Sequence, residues 1–157
     1  MTGLDDKTKQ YALKLLSYKG RSEREMEERL RKKGASDDSI VLTMQYLRDS
    51  GLLNDLSLAE SLKREALTHR MLSQAGARNF ILRRGIPKTI VDALFSGDED
   101  TDFENALRFA DKKLRLLERY PPVTAKRRLY NLLLRRGYSV GTIMKVIKDK
   151  HVKEEDQ

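Results

Sequence analysis

The stretch Leu30-Arg31-Lys32-Lys33-Gly34 recurs as Ile81-Leu82-Arg83-Arg84-Gly85 and again as Leu133-Leu134-Arg135-Arg136-Gly137, with the three glycines 51 and 52 residues apart. Recurrence at a fixed spacing marks a repeat architecture. Four residues before each glycine stands an aliphatic side chain (Leu30, Ile81, Leu133), and eight before stand Met26, Ala77 and Leu129. That spacing puts both positions on one helix face. Six residues after each glycine, Ile40, Val91 and Ile143 open the next apolar face, although Ile90 is an alternative to Val91 in the middle copy. The glycines themselves are expected just past a helix end at positive φ, where an L-residue is strained.

Working outward, each copy parses as three helices. In the first, Tyr11, Leu15 and Tyr18 mark a face on a helix over about 5–18. Ser22 and Glu25 have the spacing of a capping box for a helix ending at Lys33. Ile40, Met44 and Leu47 give the third helix its stripe, which ends near Gly51. In the second copy a helix over 55–71 carries Leu58, Leu62 and Ala66, another spans 74–84, and a short one opens at Pro87. An acidic loop, Gly97-Asp98-Glu99-Asp100, precedes a predicted Thr101/Glu104 capping box and a stripe of Phe103, Leu107, Ala110, Leu114 and Leu117. Pro121-Pro122 stops that helix and starts the next, and Ser139 caps the last. The expected fold is all-α: three tandem three-helix repeats (1–53, 54–97, 98–150) stacked into an elongated, curved array, with a frayed tail at 151–157.

Inventory excludes several chemistries. No cysteine is present, which removes disulfides, zinc ribbons, iron–sulfur clusters and thiol nucleophiles. His69 and His151 have no second histidine nearby, and His69 reads as a helix-end residue. Neither a nucleophile elbow nor a phosphate-binding glycine loop occurs. Glu23/Glu27 and Glu25/Glu28 alternate with Arg24 and Arg29, the pattern of a salt-bridged helix face rather than an acid–base pair. The reading is therefore not an enzyme, with no catalytic residue, cofactor or metal ligand. No apolar run is long enough for a membrane span, and the first six residues lack a leader pattern, so a cytoplasmic protein is expected.

Charge is unevenly spread. Residues 105–147 carry 11 basic and 2 acidic side chains, whereas 1–54 carry 11 and 9. An excess confined to the C-terminal third points to a polyanionic or acidic partner. The basic pairs before each glycine have a simpler explanation, because a cation in a last helical turn is stabilised by the dipole. Lys126-Arg127-Arg128 does not: it stands near a helix start, where the dipole opposes it. The candidate binding residues are therefore Lys126, Arg127, Arg128, Arg135 and Arg136, with Arg83, Arg84, Lys32 and Lys33 as their counterparts in the other copies.

The order Ser22-x-x-Glu25, Leu30-x-x-Lys33-Gly34, Gly51-Leu52-Leu53-Asn54-Asp55-x-x-x-Ala59, Gly85-Ile86 and Leu133-x-x-Arg136-Gly137-Tyr138-Ser139 resembles the RecX family of bacterial regulatory proteins. Asn54 departs from the acidic residue of many relatives, and both kinds of side chain cap a helix. The resemblance covers about 10–148 and implies tandem three-helix repeats. It also implies a cytoplasmic, monomeric protein of recombination, DNA repair and the SOS response that binds the RecA nucleoprotein filament and modulates RecA, usually by inhibiting strand exchange, ATP hydrolysis and coprotease action. Single- or double-stranded DNA is a further implied partner. Two other readings stay open. One is a nucleic-acid regulator acting without RecA through helix-turn-helix-like steps at Gly34 and Gly137, which Asp37 and Asp38 weaken in the first copy. The other is a helical-repeat scaffold for an acidic protein.

Overall fold

Each glycine-centred stretch ends a helix. The computed structural model describes the backbone of residues 6–155 and the side chains of 6–150. Among the described residues nine α-helices follow one another and no strand occurs: α1 (Asp6–Tyr18), α2 (Glu23–Lys33), α3 (Asp37–Asp49), α4 (Asp55–Arg64), α5 (Gln74–Arg83), α6 (Lys88–Phe95), α7 (Asp102–Leu117), α8 (Pro122–Arg135) and α9 (Val140–Glu155). The fold is all-α, with α1–α3, α4–α6 and α7–α9 as three-helix repeats. No helix among the described residues is long and apolar enough to cross a membrane. Residues 1–5, within the stretch read for a leader, and residues 156–157 of the expected frayed tail lie outside the described residues, while α9 itself reaches Glu155.

The nine apolar positions keyed to the glycines are all buried, none more than 3% exposed. In the middle repeat the buried residue is Val91, so the count of six from the glycine holds and Ile90 is not its counterpart. Gly34, Gly85 and Gly137 have φ of 96°, 86° and 92°, as a left-handed helix terminator requires. At the start of α2 the capping box is complete: Ser22 Oγ accepts from Glu25 N at 3.1 Å and Glu25 Oε1 from Ser22 N at 3.0 Å. Ser139 Oγ accepts from Thr142 N at 3.1 Å and caps α9.

Four expectations are corrected by the structure. Tyr18 is 71% exposed, because Thr8, Ala12 and Leu15 form the buried face of α1. Phe103 is 37% exposed, and the buried face of α7 is Ala106, Phe109, Ala110 and Leu117. Thr101 makes no capping bond; Asp100 Oδ1 accepts from Asp102 N instead, and Asp102 Oδ1 accepts from Gln74 N at 2.9 Å to satisfy the start of α5. The single helix expected over 55–71 is α4 followed by a wider turn, Glu65–His69, in which Arg70 N donates to Glu65 O. That extra residue brings Met71 rather than Arg70 to the buried side after Leu62 and Ala66.

The chain packs as two compact units. One comprises Met1–Leu62 with Ile81–Ser96, the other Lys63–Phe80 with Gly97–Gln157, so the middle repeat contributes to both. In the first, Ala12, Leu15, Met26, Leu30, Ile40, Met44, Leu47 and Leu53 form the core. In the second, the core gathers Phe109, Leu117, Leu129, Leu133, Tyr138, Ile143 and Val146, with Met71.

Both units contain the same joint. In the first, Gly85 lies so close to the buried cap Ser22 that a Cβ would come within 2.9 Å of its Oγ. Arg84 beside it pairs with Glu25 (Nε–Oε2 2.8 Å) and donates to Gly20 O. In the second, a Cβ on Gly137 would lie 2.6 Å from Oγ of the buried Ser73. Ser73 Oγ donates to Gly137 O and accepts from Gly76 N, and Arg136 Nη1 donates to Arg70 O at 2.6 Å. The arginine–glycine turn of one repeat thus seats on the serine that starts the middle helix of the repeat before it.

Candidate interaction surface

The joint divides the predicted basic residues into two kinds. Arg84 and Arg136, each immediately before its glycine, are half-buried and spent within the chain. Burial acts to raise the Glu25 carboxyl, but the hydrogen bond from Arg84, the Ser22 amide and the charges of Arg84 and Lys19 outweigh it, leaving its pKa below the ordinary value. Arg136 also holds its guanidinium 5.0 Å from the centre of the Phe109 ring. Tyr138, next to the glycine, donates its hydroxyl to Met71 O at 2.5 Å, and burial and then the Asp102 charge push its phenol upward. Lys33 is exposed, with Nζ 5.1 Å over the Tyr11 ring. The residues one place earlier, Lys32, Arg83 and Arg135, are exposed.

On α8, Lys126, Arg127 and Arg128 are all exposed. At 100° per residue Arg128 and Arg135 fall on one side, Arg127 stands beside them at the solvent-facing centre, and Lys126 falls on the opposite edge. Arg128 holds its guanidinium 4.1 Å from the centre of the Tyr120 ring. Lys126 instead closes on α9, where it lines a cavity of about 410 Å³ with Met144, Lys145, Ile147 and Lys148. Three lysines therefore converge there with no carboxylate in the lining. Lys145 and Lys148 are not adjacent to any basic run: the regional charge count reaches Lys145, and no pattern in the sequence points to Lys148.

Next to it, and sharing Lys126 and Ile147, a mainly apolar groove of about 570 Å³ runs between α7, α8 and α9 past Leu114, Leu117, Tyr120, Val123 and Leu129, with Glu118 as the one carboxylate in its lining. Val123 on its rim is 80% exposed. Lys150 at its end is tied to Asp111.

The helix-turn-helix reading meets an obstacle in the geometry. The first turn of α3 presents Asp37, which pairs with Arg31 at 2.7 Å, and that of α9 presents Val140, Gly141 and Thr142. Neither offers the amide or guanidinium groups that read base edges. Among the described residues no group of three His, Asp or Glu is placed to hold a metal ion.

Comparison with known proteins agrees with this architecture. The RecX first three-helix domain matches residues 9–47 and the RecX third three-helix domain matches residues 100–147. A regulatory protein RecX of Clostridium botulinum is 27% identical over 146 residues, 91% of this chain and 68% of that protein. The regulatory protein RecX of Chlorobaculum tepidum is 28% identical over 138 residues, covering 88% of this chain and 84% of that one. The crystal structure of RecX from Lactobacillus salivarius superposes with a TM-score of 0.70 at 25% identity, over 94% of this chain and 96% of that one. With its repeats, its glycine-terminated helices and both of these domain matches, the chain belongs to the RecX family.

Proposed function

We propose that this protein is a non-enzymatic regulator that binds the RecA–DNA filament and lowers its recombinase, ATPase and coprotease activities. The resemblance to the RecX family implies the partner, and the third repeat carries the observation that supports the reading on this chain. Its exposed cations Lys126, Arg127, Arg128, Arg135, Lys145 and Lys148 are on two helices of one unit, whereas Arg84 and Arg136 are consumed in repeat joints. Unneutralised cations on a small domain carry a standing repulsion, which an acidic or polyanionic partner relieves. The site we assign is therefore Lys126, Arg127, Arg128 and Arg135 with Lys145 and Lys148. Lys32, Lys33 and Arg83 are peripheral, and Arg84 and Arg136 act in the fold.

Co-sedimentation with RecA assembled on single-stranded DNA, against the bare strand, tests the reading directly. The expected result is strong recovery with the filament, weak recovery with the strand, and a falling RecA ATPase as the protein is added. Equal recovery with both would favour a nucleic-acid regulator that does not need RecA.

A further inference from the structure

The joint between repeats has a donor side and an acceptor side, and the third repeat still owns an acceptor. In the first repeat the acceptor is the start of α2, with Ser22, Glu23 and Glu25; in the second it is the start of α5, with Ser73, Gln74 and Gly76. Counting back from Gly137 as from Gly34, the same places in the third repeat are Ala125, Lys126 and Arg128. Met44, which lines the first repeat's groove beside Glu23 and the arriving Gly85–Lys88 turn, corresponds to Ile147. The apolar groove with Val123, Ala125, Lys126 and Ile147 is the corresponding acceptor surface of the third repeat, and it stands open among the described residues.

Its charge is reversed. The first acceptor offers Glu23 and Glu25 to a turn bearing Arg83, Arg84 and Lys88, and the Arg84–Glu25 pair results. The last acceptor offers Lys126 and Arg128 at the same two positions, with Lys145 and Lys148 converging on Lys126. A basic turn cannot seat there without placing like charges together. The chain's own spare donor is Arg31-Lys32-Lys33-Gly34, whose glycine has nothing within 4 Å of a Cβ and whose charge is equally basic. Head-to-tail joining of two copies is opposed by that match of sign.

We propose that this groove is a protein-docking site that receives an acidic helix–turn element of a RecA subunit, seated as a following repeat would be. The inference rests on the filament reading above and adds which surface meets protein rather than DNA. Val123, Leu117 and Leu129 supply the apolar seat, and Lys126, joined by Lys145 and Lys148 in the adjoining pocket, outnumbers the one carboxylate of the lining, Glu118, and selects an acidic partner.

The test uses the full chain with a photo-crosslinking phenylalanine at position 123 or, as a control, at the exposed Val41 of α3. Val123→Asp and Lys126→Glu serve as binding variants, with circular dichroism verifying that helix content is kept. With RecA on single-stranded DNA, position 123 is expected to crosslink to RecA and position 41 not. Each binding variant should lose about tenfold in filament affinity, as truncation of a central interface residue does. If the parent sediments with filaments while both variants match it, the groove assignment is wrong and the filament reading stands. Crosslinks from 123 to the DNA strand, or to a second copy of this chain, also overturn it. Failure of the parent itself to sediment overturns the filament reading and the inference with it.

Discussion

Gly34, Gly85 and Gly137 share a backbone conformation but not their surroundings, and that difference makes their roles separable. At all three the positive φ costs an alanine about 1 kcal/mol. Around Gly34 the space is open, so Gly34→Ala should cost little beyond that strain. At Gly85 and Gly137 the new methyl would meet Ser22 or Ser73 at 2.9 and 2.6 Å, so the joint must shift. Overpacking of this kind adds roughly 1–3 kcal/mol. Urea or thermal unfolding should therefore rank the variants Gly34→Ala mildest and Gly137→Ala most severe. Equal losses at all three would mean that the serine joints yield freely.

At the scale of the helices, the α2 start and the α5 end are held together by one carboxylate, which makes that joint pH-dependent. Because the Glu25 pKa is lowered in the fold, its contribution is present above the unfolded value and is lost as the pH falls through the folded one. Asp55 and Asp102 act the other way: burial raises both, so protonating them relieves the folded state. Glu25→Gln keeps an acceptor for the Ser22 amide but loses the charge facing Arg84. The variant should melt below the parent at pH 7, with the gap closing as both are taken to about pH 3, below the ordinary carboxylate range. A gap independent of pH would assign the effect to packing. The helix ends were legible from sequence because caps are local: Ser22 with Glu25, Ser139, and the three glycines need only their own neighbours. Tyr18 and Phe103 depart from the expected faces because burial depends on what packs beside them, and Thr101 does not cap because the neighbouring Asp100 carboxylate takes the Asp102 amide. The same limit applies to the basic pairs. Arg83 and Arg84 are alike in sequence, and only the Glu25 and Gly20 of another repeat make one of them structural.

Across the whole molecule, 11 basic against 2 acidic residues in 105–147 set up a field that the two repeats before it lack. Part of this charge stabilises the fold and part is available for binding, and paired substitutions tell them apart. Arg84→Ala and Arg136→Ala remove donors to Glu25, Gly20 O and Arg70 O, so each should lower the melting temperature. Arg127→Ala with Arg128→Ala removes exposed cations and the stacking of Arg128 on Tyr120, which is worth roughly 0.5–1 kcal/mol at an exposed site. That double variant should keep its helix content and inhibit RecA ATPase less than the parent does. If these residues meet DNA phosphates, every phosphate that is no longer neutralised also lowers the salt slope by about 0.7 on a single strand. Lys32→Ala with Lys33→Ala should do less to inhibition, because residues 1–54 carry 11 basic against 9 acidic side chains and have little excess field to lose. A 127/128 variant that inhibits like the parent throughout a salt titration would show that α8 is a solvated face. Binding would then have to come from the second repeat, where Arg83 is among the exposed cations.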